Sequence, residues 1–270
     1  TFVAITGKEL MKIVMIGAGN LATHLAKALF GAGHDIVQVF SRTEESANEL
    51  SKTVGASPTT DLNQITTQAE AYIFALKDSV LANVIPVVCK GREKALMIHT
   101  AGSMPLSAFQ GMALHYGVLY PMMTFSKQFE IDFQQVPCFI EGNDDYSVKM
   151  VQDLARSVSP KVYSLSSQKR QYLHLSAVWA CNFANHCFDV ASNILSKQNI
   201  PFEVLLPLID ETTRKIHTIS PHQAQTGPAI RYDENVIRSH AALLKDNPLL
   251  KDLYERMSLS INKFSKNTSK

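Results

Sequence analysis

Apolar positions follow two periods along this chain. Lys12 to Ile16 is a short β-rich run, and Leu21, Leu25, Ala28 and Leu29 then repeat at helical spacing until Gly31 and Gly33 interrupt them. The alternation continues with strands expected at Ile36 to Phe40, Ala71 to Leu76 and Ala95 to Thr100, and helices at Glu44 to Lys52 and Val80 to Val88. Strands separated by helices imply a parallel sheet covered on both faces, because each crossover helix packs back on the sheet it left. Strand-like segments at Ala113 to Leu119, Val136 to Glu141 and Lys161 to Leu165, with a helix over Tyr146 to Val158, carry the sheet to about residue 165.

Beyond Ser166 the strand pattern stops. Long helical stretches follow at Ser167 to Gln198, Phe202 to Ile216, Asn235 to Asp246 and Leu249 to Phe264, broken at Pro201, Ser220-Pro221, Gly227-Pro228 and Pro248. The expected architecture is α/β: a Rossmann-type, doubly wound and mostly parallel sheet over residues 11–165, then an all-α domain over 166–264. Residues 1–10 carry apolar Phe2, Val3, Ala4 and Ile5 but no basic segment or long apolar core, so they do not read as a secretory signal. Met11 directly precedes the first strand, and the ten residues before it are read as an upstream extension and set apart from the site.

Composition narrows the class. With 46% apolar residues in 270, the chain can bury a large core, and 26 basic against 24 acidic residues leave no charge footprint for nucleic acid or an anionic bilayer. Its longest uncharged stretch, Gln171 to Phe188, is interrupted by His174, Ser176, Asn182, Asn185 and His186, too many polar groups for lipid. The four cysteines form no C-x-x-C pair, which fits reduced thiols and a cytoplasmic location and indicates no metal site.

Candidate chemistry begins at Gly17-Ala18-Gly19-Asn20-Leu21-Ala22, between the first strand and the first helix. Gly17 permits a tight turn, Gly19 lets a pyrophosphate approach the backbone, and the helix N-terminus at Asn20 and Leu21 offers N–H groups to it. At the end of the second strand, where an acidic residue would hold the ribose of NAD, stand Ser41, Arg42 and Thr43. A guanidinium and two hydroxyls suit a 2′-phosphate, so the expected cofactor is NADP; a solvated surface cation is the plainer account of Arg42. Leu76 and Lys77, after the next strand on that edge, are expected to touch the cofactor through their backbone, with Asp78 or Ser79 capping the helix that follows. The polar loop His99, Thr100, Gly102 and Ser103 is expected to bind the substrate.

On the first long helix His174, Val178 and Asn182 are spaced by four, each step turning only about 40° round the axis. Polar groups on such a stripe need partners or a cavity, so His174 and Asn182 are the candidate catalytic pair, with a satisfied core histidine as the alternative. Trp179 reads as core, and His186 as interfacial rather than catalytic.

The glycine turn, Ser41-Arg42-Thr43, the His99 to Gly102 loop, Tyr120-Pro121-Met122-Met123-Thr124-Phe125, the His174 to Asn182 helix and Thr226 to Asp233 together resemble a group of predicted NADP oxidoreductases. These join a pyrroline-5-carboxylate-reductase-like Rossmann domain to a helical domain of unknown function, within the 6-phosphogluconate and β-hydroxyacid dehydrogenase-like superfamily. The resemblance covers nearly all of residues 11 to 264. It implies NADP binding, a catalytic cleft between the domains and a homodimer built through the helices, and it brings no substrate with it. The β-hydroxyacid dehydrogenases carry a lysine one turn before the asparagine; Val178 stands there here, which argues against simple 3-hydroxyacid chemistry. His174 is then the nearby group able to move a proton, unless solvent supplies it as in imine reductases. The leading expectation is an NADP-dependent oxidoreductase acting on a small carbonyl or imine compound; the alternative is a non-catalytic dinucleotide-binding regulator.

Overall fold

The computed structural model describes residues 10–267; the expected upstream extension, apart from Leu10, and the last three residues lie outside the described residues. The chain divides into two compact units, Thr1–Asn185 and His186–Lys270.

The first unit is built on one eight-stranded sheet with the order β3-β2-β1-β4-β5-β6-β7-β8. Its strands are β1 (Lys12–Ile16), β2 (Asp35–Phe40), β3 (Ser57–Thr59), β4 (Ala71–Phe74), β5 (Leu96–His99), β6 (His115–Pro121), β7 (Cys138–Gly142) and β8 (Val162–Ser164). Helices α1 (Asn20–Gly31), α2 (Glu44–Val54), α3 (Asp78–Cys89) and α4 (Asp145–Val158) connect them. Every neighbouring pair is parallel except β6 with β7, so the Rossmann-type sheet expected from the alternation is present with one antiparallel pair. Successive residues of β1 serve opposite faces, as the two-residue period of a strand requires: Ile13 and Met15 pack with α1 residues Leu25 and Leu29, while Val14 and Ile16 pack with α3 residues Leu81 and Ile85.

The edge strand β3 escapes the periodicity, since Ser57-Pro58-Thr59 has no apolar run, and proline is tolerated there because an edge strand leaves N–H positions unpaired. Strands end at Ser164 and helices begin with α5 (Ser167–Ala177), but the division between units falls later, inside α6 (Ala184–Ser196). The cause is visible in α5, whose Arg170, Gln171 and His174 are bonded to residues 103, 104, 120 and 141 of the sheet region. Between α5 and α6 the backbone runs as a π-helix, Val178–Phe183, a widened turn often found where a helix carries function. Trp179, expected in the core, is instead 56% exposed and meets Phe183 edge-on, because the outer face of this helix has no covering element among the described residues.

The second unit is helical: α7 (Leu206–Lys215), α8 (Pro221–Ala224), α9 (Pro228–Arg231), α10 (Glu234–Leu243) and α11 (Pro248–Asn267) follow α6. The turns expected at Ser220-Pro221 and Gly227-Pro228 each open a short helix with proline at its start, where the missing N–H is not needed. Asp233 caps α10, and Asn262 of α11 donates to the Ile230 carbonyl at 3.0 Å. Among the described residues no helix is long and apolar enough to cross a membrane.

Candidate functional site

The parallel strands finish level with one another. Phe40, Ile16, Phe74 and His99 are paired in register across β2, β1, β4 and β5, so the segments after them gather on one edge of the sheet. Strand order turns back between β1 and β4, the place where open α/β sheets leave a crevice for a ligand.

Gly17 begins the first of these segments. Its N–H donates to the Phe40 carbonyl at 2.8 Å, its φ is +122°, and a Cβ there would collide with the carbonyl of Ala75. Only glycine meets both demands. Gly19 differs: its backbone is ordinary, with φ −77° and ψ −174°, and a Cβ would touch nothing. Nothing among the described residues therefore requires glycine at 19, and the open space lies over the first turn of α1, which has no side-chain cap and no acidic residue. Unspent N–H groups and the positive end of the helix dipole face that space, which suits the phosphates of a dinucleotide. Ala22 is fully buried where α1 meets the sheet.

Ser41 follows β2 directly, and its N–H donates to Thr59 at 3.1 Å. Arg42 and Thr43 are exposed, Thr43 makes no side-chain cap to α2, and Arg42 has no hydrogen bond or ion pair among the described residues. A free guanidinium beside the glycine turn is the arrangement a 2′-phosphate would meet. Leu76 lies against Gly17, and Lys77 is the extended residue before α3. Asp78 does not cap α3; its carboxylate accepts from the Ser103 hydroxyl and so ties the loops after β4 and β5 together.

The loop after β5 uses its side chains internally. His99 is fully buried; its Nδ1 accepts from the Ala101 N–H at 3.2 Å and its Nε2–H donates to the Pro105 carbonyl at 3.3 Å. Burial, assisted by the positive charge of Arg170, lowers the His99 pKa to about 4, so the ring is neutral. Thr100 is buried with its N–H and hydroxyl both directed at the Phe74 carbonyl. No ring nitrogen of His99 and no hydroxyl hydrogen of Thr100 or Ser103 is left for a substrate; these residues shape the loop. Gly102 is where the loop meets chemistry, because a Cβ there would lie 2.7 Å from the imidazole of His174.

His174 is thus seated on the Gly102 backbone, and its Nδ1 is 3.1 Å from the hydroxyl of Tyr120 at the end of β6. Both border a cleft of about 410 Å³, as does Asn182 from the π-helix; Met122, Met123 and Val178 supply apolar wall. The two residues expected to act together therefore share one cavity. His186 belongs to the second unit, beside a separate cavity of about 760 Å³. Beneath α5, Arg170 is buried and bonded to Glu141 at 2.7 Å. Asn20, whose backbone N–H is expected at the cofactor, uses its side chain elsewhere: it donates to the Phe125 carbonyl at 3.0 Å, and His24 donates to the Ser126 carbonyl at 2.9 Å. They anchor to α1 the segment whose Met122, Met123 and Thr124 line the His174 cleft.

Tyr120 is the residue that periodicity alone passes over. Its signal was its place: a tyrosine ahead of the proline that ends a strand, on the edge where strand termini collect their ligands.

Residues 12–101 match the family described as NADP oxidoreductase coenzyme F420-dependent, and residues 136–261 match a domain of unknown function, DUF2520. No curated protein matches the chain. Among solved structures, a Bacteroides fragilis protein provisionally named an NADP oxidoreductase is 52% identical, with 94% of this chain and 98% of that one covered and a TM-score of 0.90. A 1-pyrroline-5-carboxylate reductase from Streptococcus pyogenes (15% identical, 94% and 99% covered, TM-score 0.60) shares the fold. So does an imine reductase from Myxococcus stipitatus in complex with NADP+ (14% identical, 95% and 94% covered, TM-score 0.66). The chain belongs to the family of the Bacteroides fragilis protein, its own sequence pairing an NADP oxidoreductase domain with a DUF2520 domain.

Proposed function

We propose that the protein is an NADP-dependent oxidoreductase acting on a small carbonyl or imine compound in the cleft beside His174. The observation that carries this reading is the convergence on one sheet edge of an open cradle over Gly19, an Arg42 with no partner among the described residues, and a cleft bordered by both His174 and Tyr120. The turn at Gly17 to Leu21 and the backbone of Leu76 and Lys77 would hold the dinucleotide, with Ser41, Arg42 and Thr43 at its 2′-phosphate. When bound, the cofactor supplies the hydride; the chain supplies orientation and the proton. Asn182 would hold the substrate heteroatom by its amide, and the hydrophobic wall would keep water from the reacting carbon.

Fluorescence titration tests the cofactor assignment. NADPH is expected to bind more tightly than NADH, and Arg42→Ala to shrink the difference by about ten- to a hundredfold, the worth of a charge-assisted contact of about 1.5–3 kcal/mol. Equal affinities in the unaltered protein would remove the NADP assignment. NADPH oxidation against a panel of small carbonyls and cyclic imines tests turnover; tight binding with no turnover of any panel member would favour the non-catalytic regulator.

The reading includes a homodimer formed through the helices. Tyr172 is 68% exposed and shares the outer face of its helix with Leu175 and Trp179; in the second unit Leu243 is 79% exposed and Leu249 is also exposed. Apolar surface of this extent on helices calls for a covering partner, and a second copy with two-fold symmetry is the commonest one. Sedimentation at micromolar concentration should give twice the chain mass of 29.9 kDa; a monomer alone would contradict the dimer.

A further inference from the structure

We propose that Tyr120 is the acid that protonates the substrate, that the substrate is accordingly a carbonyl compound, and that His174 is a positioning residue whose Nδ1–H is donated to the phenol oxygen. The inference rests on the NADP-dependent reading and deepens it by naming the proton donor and the substrate class.

The hydrogen bond between Tyr120 Oη and His174 Nδ1, 3.1 Å long, can run in either direction, and the direction decides the chemistry. If the phenol donates, its only hydrogen is spent on the ring. If the ring donates, the phenol hydrogen is free to point into the cleft that both residues border. Only the second arrangement makes a relay. Nε2 has no partner among the described residues, so a proton can reach it from water while Nδ1 passes its own to Oη. Gly102 fixes the seat of the ring, since any side chain at 102 would occupy the space of Cγ and Nδ1.

The acidity of the donor selects the substrate. The residues that line the cleft include no carboxylate to stabilise a protonated imine. The Tyr120 phenol is a weak acid whose ordinary pKa is about 10, and burial raises it further against the opposing pull of the Arg170 charge. An imine is activated by protonation before hydride arrives, which so weak an acid does poorly. A carbonyl oxygen becomes strongly basic only as hydride reaches the carbon, and a phenol protonates it readily at that moment.

The balance is complete. A carbon–hydrogen bond forms with the hydride, the carbonyl π bond breaks onto oxygen, and the Tyr120 O–H bond breaks as the alcohol O–H forms. The Nδ1 proton restores the phenol, water delivers a proton to Nε2, and exchange with water returns the ring to its resting tautomer. One NADPH and one proton are consumed for each carbonyl converted to an alcohol, and NADP+ is the oxidised product.

Two measurements test the proposal. In the cofactor-free protein, nitrogen-15 NMR of the neutral His174 ring, assigned by its loss in His174→Asn, should show the proton on Nδ1; a proton on Nε2 with Nδ1 accepting overturns the relay. In NADPH-dependent turnover of uncharged aldehydes and ketones, Tyr120→Phe should lower kcat by about 10²–10⁴ with NADPH affinity unchanged. His174→Asn, whose amide nitrogen falls near Nδ1 and keeps the hydrogen bond to Oη while water restores the phenol directly, should stay within about tenfold of the unaltered enzyme, and His174→Ala, which loses that hydrogen bond, should fall well below it. Tyr120→Phe within about twofold of the unaltered enzyme, or His174→Asn no better than His174→Ala, would transfer the acid role to the imidazole. Reduction of 1-pyrroline but of no aldehyde or ketone, or of no probe at all, overturns the carbonyl assignment. Loss of NADPH binding, read separately by fluorescence, would instead defeat the underlying cofactor reading.

Discussion

Replacing Arg170 by methionine is expected to destabilise the first unit by about 3–5 kcal/mol, as breaking a buried ion pair from one side generally does. The guanidinium is 1% exposed and donates to Glu141 at 2.7 Å, to the Met104 carbonyl at 2.6 Å and to the Ser167 hydroxyl at 3.2 Å. Methionine fills similar volume but leaves a half-buried carboxylate without its cation and a loop carbonyl without its donor. Arg170→Met with Glu141→Gln removes the orphaned charge as well and should recover part of the loss. Denaturant unfolding decides it: a single variant within about 1 kcal/mol of the parent would show that the pair contributes little.

The same residues set the acid limb of stability. Burial works to raise the Glu141 pKa, but hydrogen bonds from Ser167 and Arg170 prevail and hold it below the usual carboxylate value. Its contribution is therefore present above the unfolded carboxylate pKa and is lost as pH falls. His99 acts in the same direction. Neutral when folded and with its pKa lowered from 6.5 to about 4, it favours unfolding as pH drops through that interval, because the unfolded chain takes up the proton first. In Arg170→Met both effects weaken, and stability should depend less steeply on pH between about 6.5 and 4.

The sheet and its helices were legible because burial on both faces leaves continuous apolar runs in β1, β4 and β5, each followed by a segment of helical period. What periodicity could not show was where a side chain spends its polar atoms. His99 and Thr100 stand at the right edge for a substrate, yet their hydrogen bonds return to Pro105, Ala101 and Phe74, partners that become neighbours only once the loop has folded. Trp179 looked like core because its helix has apolar residues on more than one face, and composition does not distinguish a face turned to the core from one left exposed. The stripe that singles out His174 and Asn182 assumes straight α geometry; the π-helix widens that stripe, and both residues border one cleft. The glycine turn was the most legible feature of this edge, since its glycines answer to backbone geometry at 17 and to open space at 19.

Those two glycines give the sharpest separation between folding and function. Gly17→Ala places a Cβ against the backbone of Ala75 while holding alanine at φ +122°, so neither neighbour can yield cheaply. Strain of this kind costs about 1–3 kcal/mol by itself, and the clash adds to it, so the melting temperature should fall whether or not cofactor is present. Gly19→Asp reverses the pattern. The residue precedes α1 with an extended backbone and nothing within 4 Å of a Cβ, which is the position where an aspartate caps a helix and complements its dipole. Stability should hold or rise by a few tenths of a kcal/mol. The carboxylate would nevertheless occupy the N–H groups and the space assigned to the pyrophosphate, and like charges brought together cost several kcal/mol, so NADPH affinity should fall by about a hundredfold or more. Thermal unfolding beside fluorescence titration reads both variants. If Gly19→Asp binds NADPH as the unaltered protein does, the phosphates do not rest on α1, and the nucleotide-binding reading of this edge fails even though the fold stands.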